Sequence, residues 1–287
     1  MDGALSRVGV SLVALRCRTS DRTAGGGRGV EALAPLLGER LGAPPRVIGS
    51  PAAPRTQRFE ADIAESRGCL LEAGGQVEDA LGGANVPVLL AAECSVALTT
   101  LPAVARHRPD AKVLWLDAHG DYNVPGTTGS GYLGGMCLAG ACGVWETGFE
   151  GAIDPARVIL AGVRDLDSGE RRLLEESPVT VVGASLETLV FVQNALDRAP
   201  VYVHLDTDVL DPVGFPAQFP VDGGLDPDKL YDLLEAVAGE CEVVGLEITA
   251  FEAPEDDRER EALAAVLARV VEPLIAAVSE REQARAG

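Results

Sequence analysis

The chain has 287 residues, within reach of one large α/β domain or two small ones. It carries 24 Lys and Arg against 44 Asp and Glu, a formal net charge of −20. That acidity argues against duplex nucleic acid and against an anionic membrane surface as partners. The hydrophobic fraction of 47% is ordinary for a globular protein and excludes disorder over most of the length. The longest apolar run, Val86–Ala92 with Pro87 allowed, is far short of the roughly 20 residues that span a bilayer. Met1–Arg7 has no basic segment leading into an apolar stretch, so secretion is not indicated. Six cysteines are too sparse for a disulfide scaffold, and reduced thiols in a cytoplasm are expected.

Eight short β-branched runs are predicted strands: Arg7–Leu15, Pro45–Gly49, Val86–Glu93, Lys112–Asp117, Arg157–Val163, Val179–Gly183, Val201–Asp206 and Cys241–Ile248. Most are continuously apolar, the pattern of strands covered on both faces. Helices are predicted between them at Gly29–Leu41, Glu60–Leu81, Ser95–Arg106, Ser168–Glu176, Asp226–Ala238 and Arg258–Val278. In the last, Ala262, Val266, Val270 and Leu274 form a helical stripe. The glycine run Gly25–Gly29 lacks the Lys-Ser/Thr of a phosphate-binding loop and is read as a turn into the first helix. The polar tail Ser279–Gly287 is expected to fray. Alternating strands and helices predict a mostly parallel sheet with helices on both faces, in a single domain over residues 1–287. Two long Gly- and Pro-rich segments, Asp121–Gly135 and Asp211–Asp226, are candidate functional loops.

In open α/β sheets, ligands bind beyond the carboxyl ends of the strands. Acidic residues recur there. The third strand runs into Glu93-Cys94-Ser95, the fourth into Asp117-Ala118-His119-Gly120-Asp121, the fifth into Arg164-Asp165-Leu166-Asp167. The seventh runs into Asp206-Thr207-Asp208-Val209-Leu210-Asp211-Pro212, and the eighth into Thr249-Ala250-Phe251-Glu252. The i, i+2, i+4 spacing of Asp117, His119 and Asp121 puts all three on one side of an extended segment. A lone Asp-x-Asp would be a solvated loop. Four carboxylates converging on one rim repel each other unless cations sit between them. Oxygen ligands with an imidazole suit Mn²⁺ or a similar divalent ion, and two such ions can activate water near neutral pH.

These motifs resemble the arginase/agmatinase (ureohydrolase) family, whose hallmarks are G-G-D-H-S, D-A-H-x-D and D-x-D-x-x-D-P. The second and third are present at Asp117–Asp121 and Asp206–Pro212. The match in order and spacing covers about residues 86–254. The resemblance implies a three-layer α/β/α sandwich around an eight-stranded parallel sheet, and hydrolysis of a guanidino compound. It implies two Mn²⁺ per chain, with Asp117 and Asp206 bridging them. Asp121 would complete one ion, and His119 with Asp208 the other.

Three departures stand out. The first family motif reads Ala91-Ala92-Glu93-Cys94-Ser95, so Cys94 stands where a histidine ligand is expected. A thiolate ligates but is softer and adds negative charge. The histidine that serves arginases as proton shuttle is matched by Gly134. His204 lies inside a strand and reads as a core residue. The guanidinium-holding glutamate of the last strand is carried over to Glu252, although the directly aligned position is Ala250. Asp121 and Glu252 are thereby the implied catalytic residues.

Arginases also recognise an amino acid head group. The family pattern for this is met by Asn123, by Thr128 with Ser130, and by Asp167 in Arg164–Asp167. Amide and hydroxyl groups can hydrogen-bond a carboxylate, and Asp167 can pair with an ammonium. Asp167 also reads as a helix N-cap, and the two roles are compatible. The Cys-for-His exchange resembles the hydroxyarginine hydrolase branch of actinobacterial cycloserine-type antibiotic biosynthesis. The resulting expectation is hydrolysis of Nω-hydroxy-L-arginine to L-ornithine and hydroxyurea. An ordinary arginase or agmatinase is the alternative, and a degenerate non-catalytic relative a third reading. The partner is a small guanidino amino acid, and a homo-oligomer is left open.

Overall fold

The computed structural model describes residues 9–284. Eight strands form one sheet: β1 (Val10–Leu15), β2 (Arg46–Ile48), β3 (Val86–Leu90), β4 (Lys112–Leu116), β5 (Val158–Val163), β6 (Thr180–Gly183), β7 (Val201–Asp206) and β8 (Val243–Thr249). Their spatial order is β2-β1-β3-β8-β7-β4-β5-β6, and every pairing is parallel. All eight predicted strands are present. Arg7 and Val8 of the first predicted strand lie outside the described residues.

Along the central strands, successive side chains enter two separate cores. Val88, Leu90, Leu114 and Leu116 face one; Leu89, Val113 and Trp115 face the other. The first core is closed by α1 (Gly25–Leu41), α6 (Thr188–Leu196), α7 (Pro227–Glu240), α8 (Asp257–Val270) and α9 (Glu272–Ala284). The second is closed by α2 (Phe59–Gly82), α3 (Ala97–His107), α4 (Cys137–Ala141) and α5 (Ser168–Glu176). The result is the three-layer α/β/α sandwich expected. Apolar burial on both faces explains why these strands show no period-2 alternation.

Four expectations are corrected. The glycines at 25–29 are not a turn before the first helix but its first turns. A Cβ at Gly26 would stand 2.7 Å from the Ala92 carbonyl oxygen, so glycine lets α1 press on the end of β3. The helix predicted over 258–278 is two helices with a 54° bend, where Pro273 removes a backbone donor. Its second part continues through the predicted fraying tail to Ala284, and residues 285–287 lie outside the described range. Cys17 and Cys69 are not free thiols; they form a disulfide joining the segment after β1 to α2. Among the described residues no single helix is long and apolar enough to cross a membrane.

Candidate metal centre

β3, β8, β7 and β4 are consecutive neighbours in the sheet, so the segments leaving their carboxyl ends meet on one rim. β3 delivers Cys94, in a short 3-10 turn (Cys94–Val96). β4 delivers Asp117, His119 and Asp121. β7 delivers Asp206 at its last residue and Asp208 one turn on. The segment after Asp206 forms a 3-10 turn because its carboxylate accepts the Asp208 N–H at 2.7 Å. The segment after β4 is not extended throughout. Asp121 adopts φ +50°, so the chain bends; His119 and Asp121 line one cavity, and Asp117 lies within reach of His119 beneath it.

Two sets of donor atoms lie mutually within 4.8 Å: Cys94, Asp117 and Asp206, and Asp117, His119 and Asp208. Asp117 belongs to both. The His119 Nδ1 is 2.9 Å from Asp208 and 3.5 Å from Asp117. Asp121 is buried at the same cavity but completes neither set, and the Cys137 thiol approaches its Oδ2 at 3.5 Å. Asp206 falls in the Cys94 set alone.

The electrostatics are those of an anion cluster short of positive charge. Burial, reinforced by Asp208 and Asp117, pushes Asp206 well above the usual carboxylate range. Burial and Asp117 do the same to Asp121, and in smaller measure to Asp208. Burial acts to raise Asp117 too, but the hydrogen bonds and charge of His119 outweigh it and hold Asp117 low. Burial would depress His119, yet Asp117 and Asp208 push it up to about 12. Burial and the neighbouring aspartates raise the Cys94 thiol, which donates to Asp206 Oδ2 at 2.9 Å. The nearby Arg164 lends its charge to the cluster only from a distance. Its guanidinium donates to the carbonyls of Gly162, Asp208, Val209, Leu210 and Val221. Donors of the oxygen, imidazole and sulfur types, crowded and desolvated, suit divalent cations.

The cavity above this floor measures about 470 Å³. Asn123, Ser130 and Asp167, the residues expected to meet the head group, line it. The Asn123 amide donates to Asp167 at 3.3 Å. Asp167 also stands at the N-cap of α5, and Glu170 accepts its backbone N–H at 3.3 Å. Glu170 accepts the Tyr122 N–H as well, at 2.8 Å, which ties the Asp117–Asp121 segment to α5. Burial raises Glu170 to about 7.

Two predicted residues are not brought to the cavity. Thr128 accepts the Gly131 N–H at 2.9 Å and serves the loop. Glu252 turns away: Thr23 donates to its carboxylate at 2.6 Å, and it rests against Gly25. At that strand end Ala250, φ +56°, lines the cavity instead. The left-handed step at Ala250 precedes Glu252, which points toward α1.

Other cavity residues carry no role assigned from the sequence. Glu93 lines it from beside Cys94 and receives the Tyr132 O–H. Arg22 stacks 4.4 Å over the Tyr132 ring, and Phe219 packs against it at 5.1 Å. A Cβ on Gly134 would fall 2.5–2.8 Å from two ring carbons and the hydroxyl oxygen of Tyr132. The Tyr132 phenol therefore occupies the space into which a side chain at position 134 would project. Below the floor, Trp115 donates to Asp117 Oδ2 at 3.0 Å. His204 bridges Glu247 and Cys94 there, at 2.6 and 3.2 Å. Glu247, a charge in the middle of an apolar strand, was the available sequence signal.

Fold and rim together define a metal-dependent hydrolase of the α/β class. A sequence model described as the Arginase family matches residues 56–276. The chain belongs to the arginase family. It is 37% identical over 272 residues to the N(omega)-hydroxy-L-arginine amidinohydrolase of Streptomyces lavendulae, covering 95% of this chain and 99% of that one. It is 31% identical over 208 residues to the arginase of Bacillus caldovelox, covering 66% and 69%. The crystal structure of the Bacillus subtilis arginase superposes with a TM-score of 0.79 at 25% identity, over 93% of this chain and 98% of that one.

Proposed function

We propose that this chain is a single-domain, cytoplasmic hydrolase of Nω-hydroxy-L-arginine that holds two Mn²⁺ and releases L-ornithine and hydroxyurea. The observation that carries this reading is the place of Cys94, whose sulfur lies within one donor set with Asp117 and Asp206. The similarity to the Streptomyces lavendulae amidinohydrolase over nearly the full length supports the same substrate. Manganese would be held by Cys94, Asp117, His119, Asp121, Asp206 and Asp208. When bound, the metals would supply Lewis acidity and a lowered pKa for water.

The rest is the work of side chains. Asp117, common to both donor sets, would serve both ions, and Asp206, which stands with Cys94 and Asp117, would hold the Cys94-side ion. Asn123 and Ser130 hydrogen-bond the substrate carboxylate, and Asp167 pairs with its ammonium. Glu93, whose carboxyl is held well above the usual range by burial and by Asp21, faces the guanidine from the cavity wall in place of Glu252. Tyr132 holds Glu93 in position and closes the space left by Gly134. A thiolate in place of imidazole lowers the net charge of the metal pair by one. That weakens polarisation of an unmodified guanidinium and favours the less basic N-hydroxyguanidine.

The test is a parallel assay of L-arginine, agmatine and Nω-hydroxy-L-arginine with Mn²⁺ present. Hydroxyarginine should be turned over fastest and agmatine slowest, and Cys94→His should raise the arginine-to-hydroxyarginine ratio. Agmatine turned over as well as arginine would overturn the head-group assignment. Arginine preferred by the wild-type chain would make it an ordinary arginase.

A further inference from the structure

We propose that His204, clamped by Glu247 and Trp115, is a positioning residue that fixes the Cys94 sulfur at the metal centre. The inference rests on the reading of Cys94 as a ligand. A histidine in a core strand needs only two polar partners to be satisfied. What marks His204 is which partners it has and how fully its ring is fixed.

Three neighbouring strands place these residues in one row. Trp115 of β4 is the register partner of His204 in β7, and His204 is the partner of Glu247 in β8. The side chains therefore emerge on the same face. The imidazole stacks on the Trp115 indole with centroids 3.4 Å apart and planes 5° from parallel. Its Nδ1 is 2.6 Å from Glu247 Oε1. Glu247 is held in turn by the Tyr202 O–H at 2.9 Å. Stacking fixes the plane of the ring, and the Nδ1 contact fixes its rotation within that plane. The one remaining ring nitrogen, Nε2, then has a single direction, toward Cys94 Sγ at 3.2 Å. Thr249 Oγ1 completes the cradle, 3.0 Å from the sulfur and 3.3 Å from Nε2.

None of this row reaches the cavity, and His204, Glu247 and Thr249 have no exposed surface, so His204 cannot touch substrate. Its reach to the centre is through the sulfur. The same row also touches the second donor set, because Trp115 donates to Asp117. Hydrogen bonds behind a ligand set its direction and its electron donation, and their loss commonly costs about 10–100-fold in metal affinity. A cysteine is shorter than the histidine expected at this position and lacks the second ring nitrogen by which a ligating histidine is oriented. The Glu247–His204 pair supplies that orientation from behind.

The test uses the full chain loaded with Co²⁺, because thiolate-to-cobalt charge transfer reports the sulfur bond directly. His204→Phe/Glu247→Gln keeps the stack on Trp115, removes the partner of the sulfur, and leaves no uncompensated buried charge. Wild type should bind two Co²⁺ with an intense near-ultraviolet band. The double variant should bind the Cys94-side ion about 10–100-fold more weakly, with the band shifted or lost. His204→Gln, whose amide can still reach sulfur, should recover part of both. Far-ultraviolet circular dichroism checks folding. Should the double variant not fold, His204→Asn, whose amide falls short of the sulfur, is read the same way. Two tightly held Co²⁺ with an unchanged band in these variants would overturn the inference alone. A fully loaded wild type with no band would overturn the reading of Cys94 as a ligand, and the inference with it.

Discussion

Gly134 is the position at which this chain can be pushed back toward the arginase pattern, and the structure says what that would cost. In Gly134→His the new Cβ would stand 2.5 Å from Tyr132 Cε1, 2.7 Å from Cζ and 2.8 Å from the phenol oxygen. The ring cannot simply yield. Glu93 holds its hydroxyl, Arg22 covers its face at 4.4 Å, and Phe219 packs against it at 5.1 Å. Overpacking of this kind costs about 1–3 kcal/mol. Breaking the phenol–carboxylate hydrogen bond adds roughly 1.5–3 kcal/mol if Glu93 is left unpaired. A loss of about 3 kcal/mol corresponds to a fall of roughly 6–12 °C in the thermal midpoint for a chain of this size. Tyr132→Ala removes the obstacle, so the double variant Tyr132→Ala/Gly134→His should be more stable than the sum of its parts. The favourable coupling should be at least about 1 kcal/mol, as expected for side chains in direct contact. The assay is thermal denaturation of all four members of the cycle with Mn²⁺ in excess. A Gly134→His midpoint within about 1 °C of wild type, with additive effects in the double variant, would refute the reasoning.

Asp206→Ala should lose bound manganese and essentially all turnover, measured by metal analysis and hydroxyarginine assay; retained turnover would remove Asp206 from the centre. Asp167→Ala should raise KM for the amino acid by roughly 10- to 100-fold, from the loss of one charge-assisted contact, with metal content unchanged. An unchanged KM would place the substrate ammonium elsewhere. Chelated protein should lose stability as pH rises. Burial raises Asp206, Asp208 and Asp121 in the folded state, so it holds protons that the unfolded chain, with carboxyls near 4, releases. Midpoints with EDTA should therefore fall from about pH 5 toward pH 8, and more steeply than with Mn²⁺; a rise with EDTA would contradict the charge balance described. Reducing the Cys17–Cys69 bond, which closes a sequence separation of 52, should cost at most about 4 kcal/mol. Midpoints with and without reductant measure it, and equal values would show the bond to be energetically idle.

The parts of the molecule written in contiguous residues were the parts the sequence disclosed. β7 was placed to the residue because Val201–Asp206 is apolar up to the aspartate that ends it. So was α5, whose N-cap Asp167 and third-position Glu170 announce its start. Asp117, His119, Asp206 and Asp208 were legible because two short segments carry all four. α6 was missed because Val190 and Phe191 are exposed while Val192 is buried, so no clean stripe appears. Glu252 was misplaced because the left-handed step at Ala250 has no signature in an alanine. The Trp115–His204–Glu247 row could not be read because its members are neighbours only through the strand order. Nothing local in their segments states that β8 lies between β3 and β7.

That strand order also dictates when the centre can come into being. Cys94 meets Asp206 across 112 residues and Thr249 across 155. β8, last of the eight strands in the chain, fills the gap between β3 and β7, which cannot pair with each other directly. A chain emerging from its N-terminus therefore has its first ligand about 155 residues before the strand that brings the cradle together. Until β8 inserts, the two halves β2-β1-β3 and β7-β4-β5-β6 are separate sheets with open central edges. Closure of such distant pairings is slow, and the unfilled edges are exposed to other chains meanwhile. The Cys94 set draws on β3, β4 and β7, and β8 is the strand that joins β3 to β7, so the set is expected to be completed only when the sheet is.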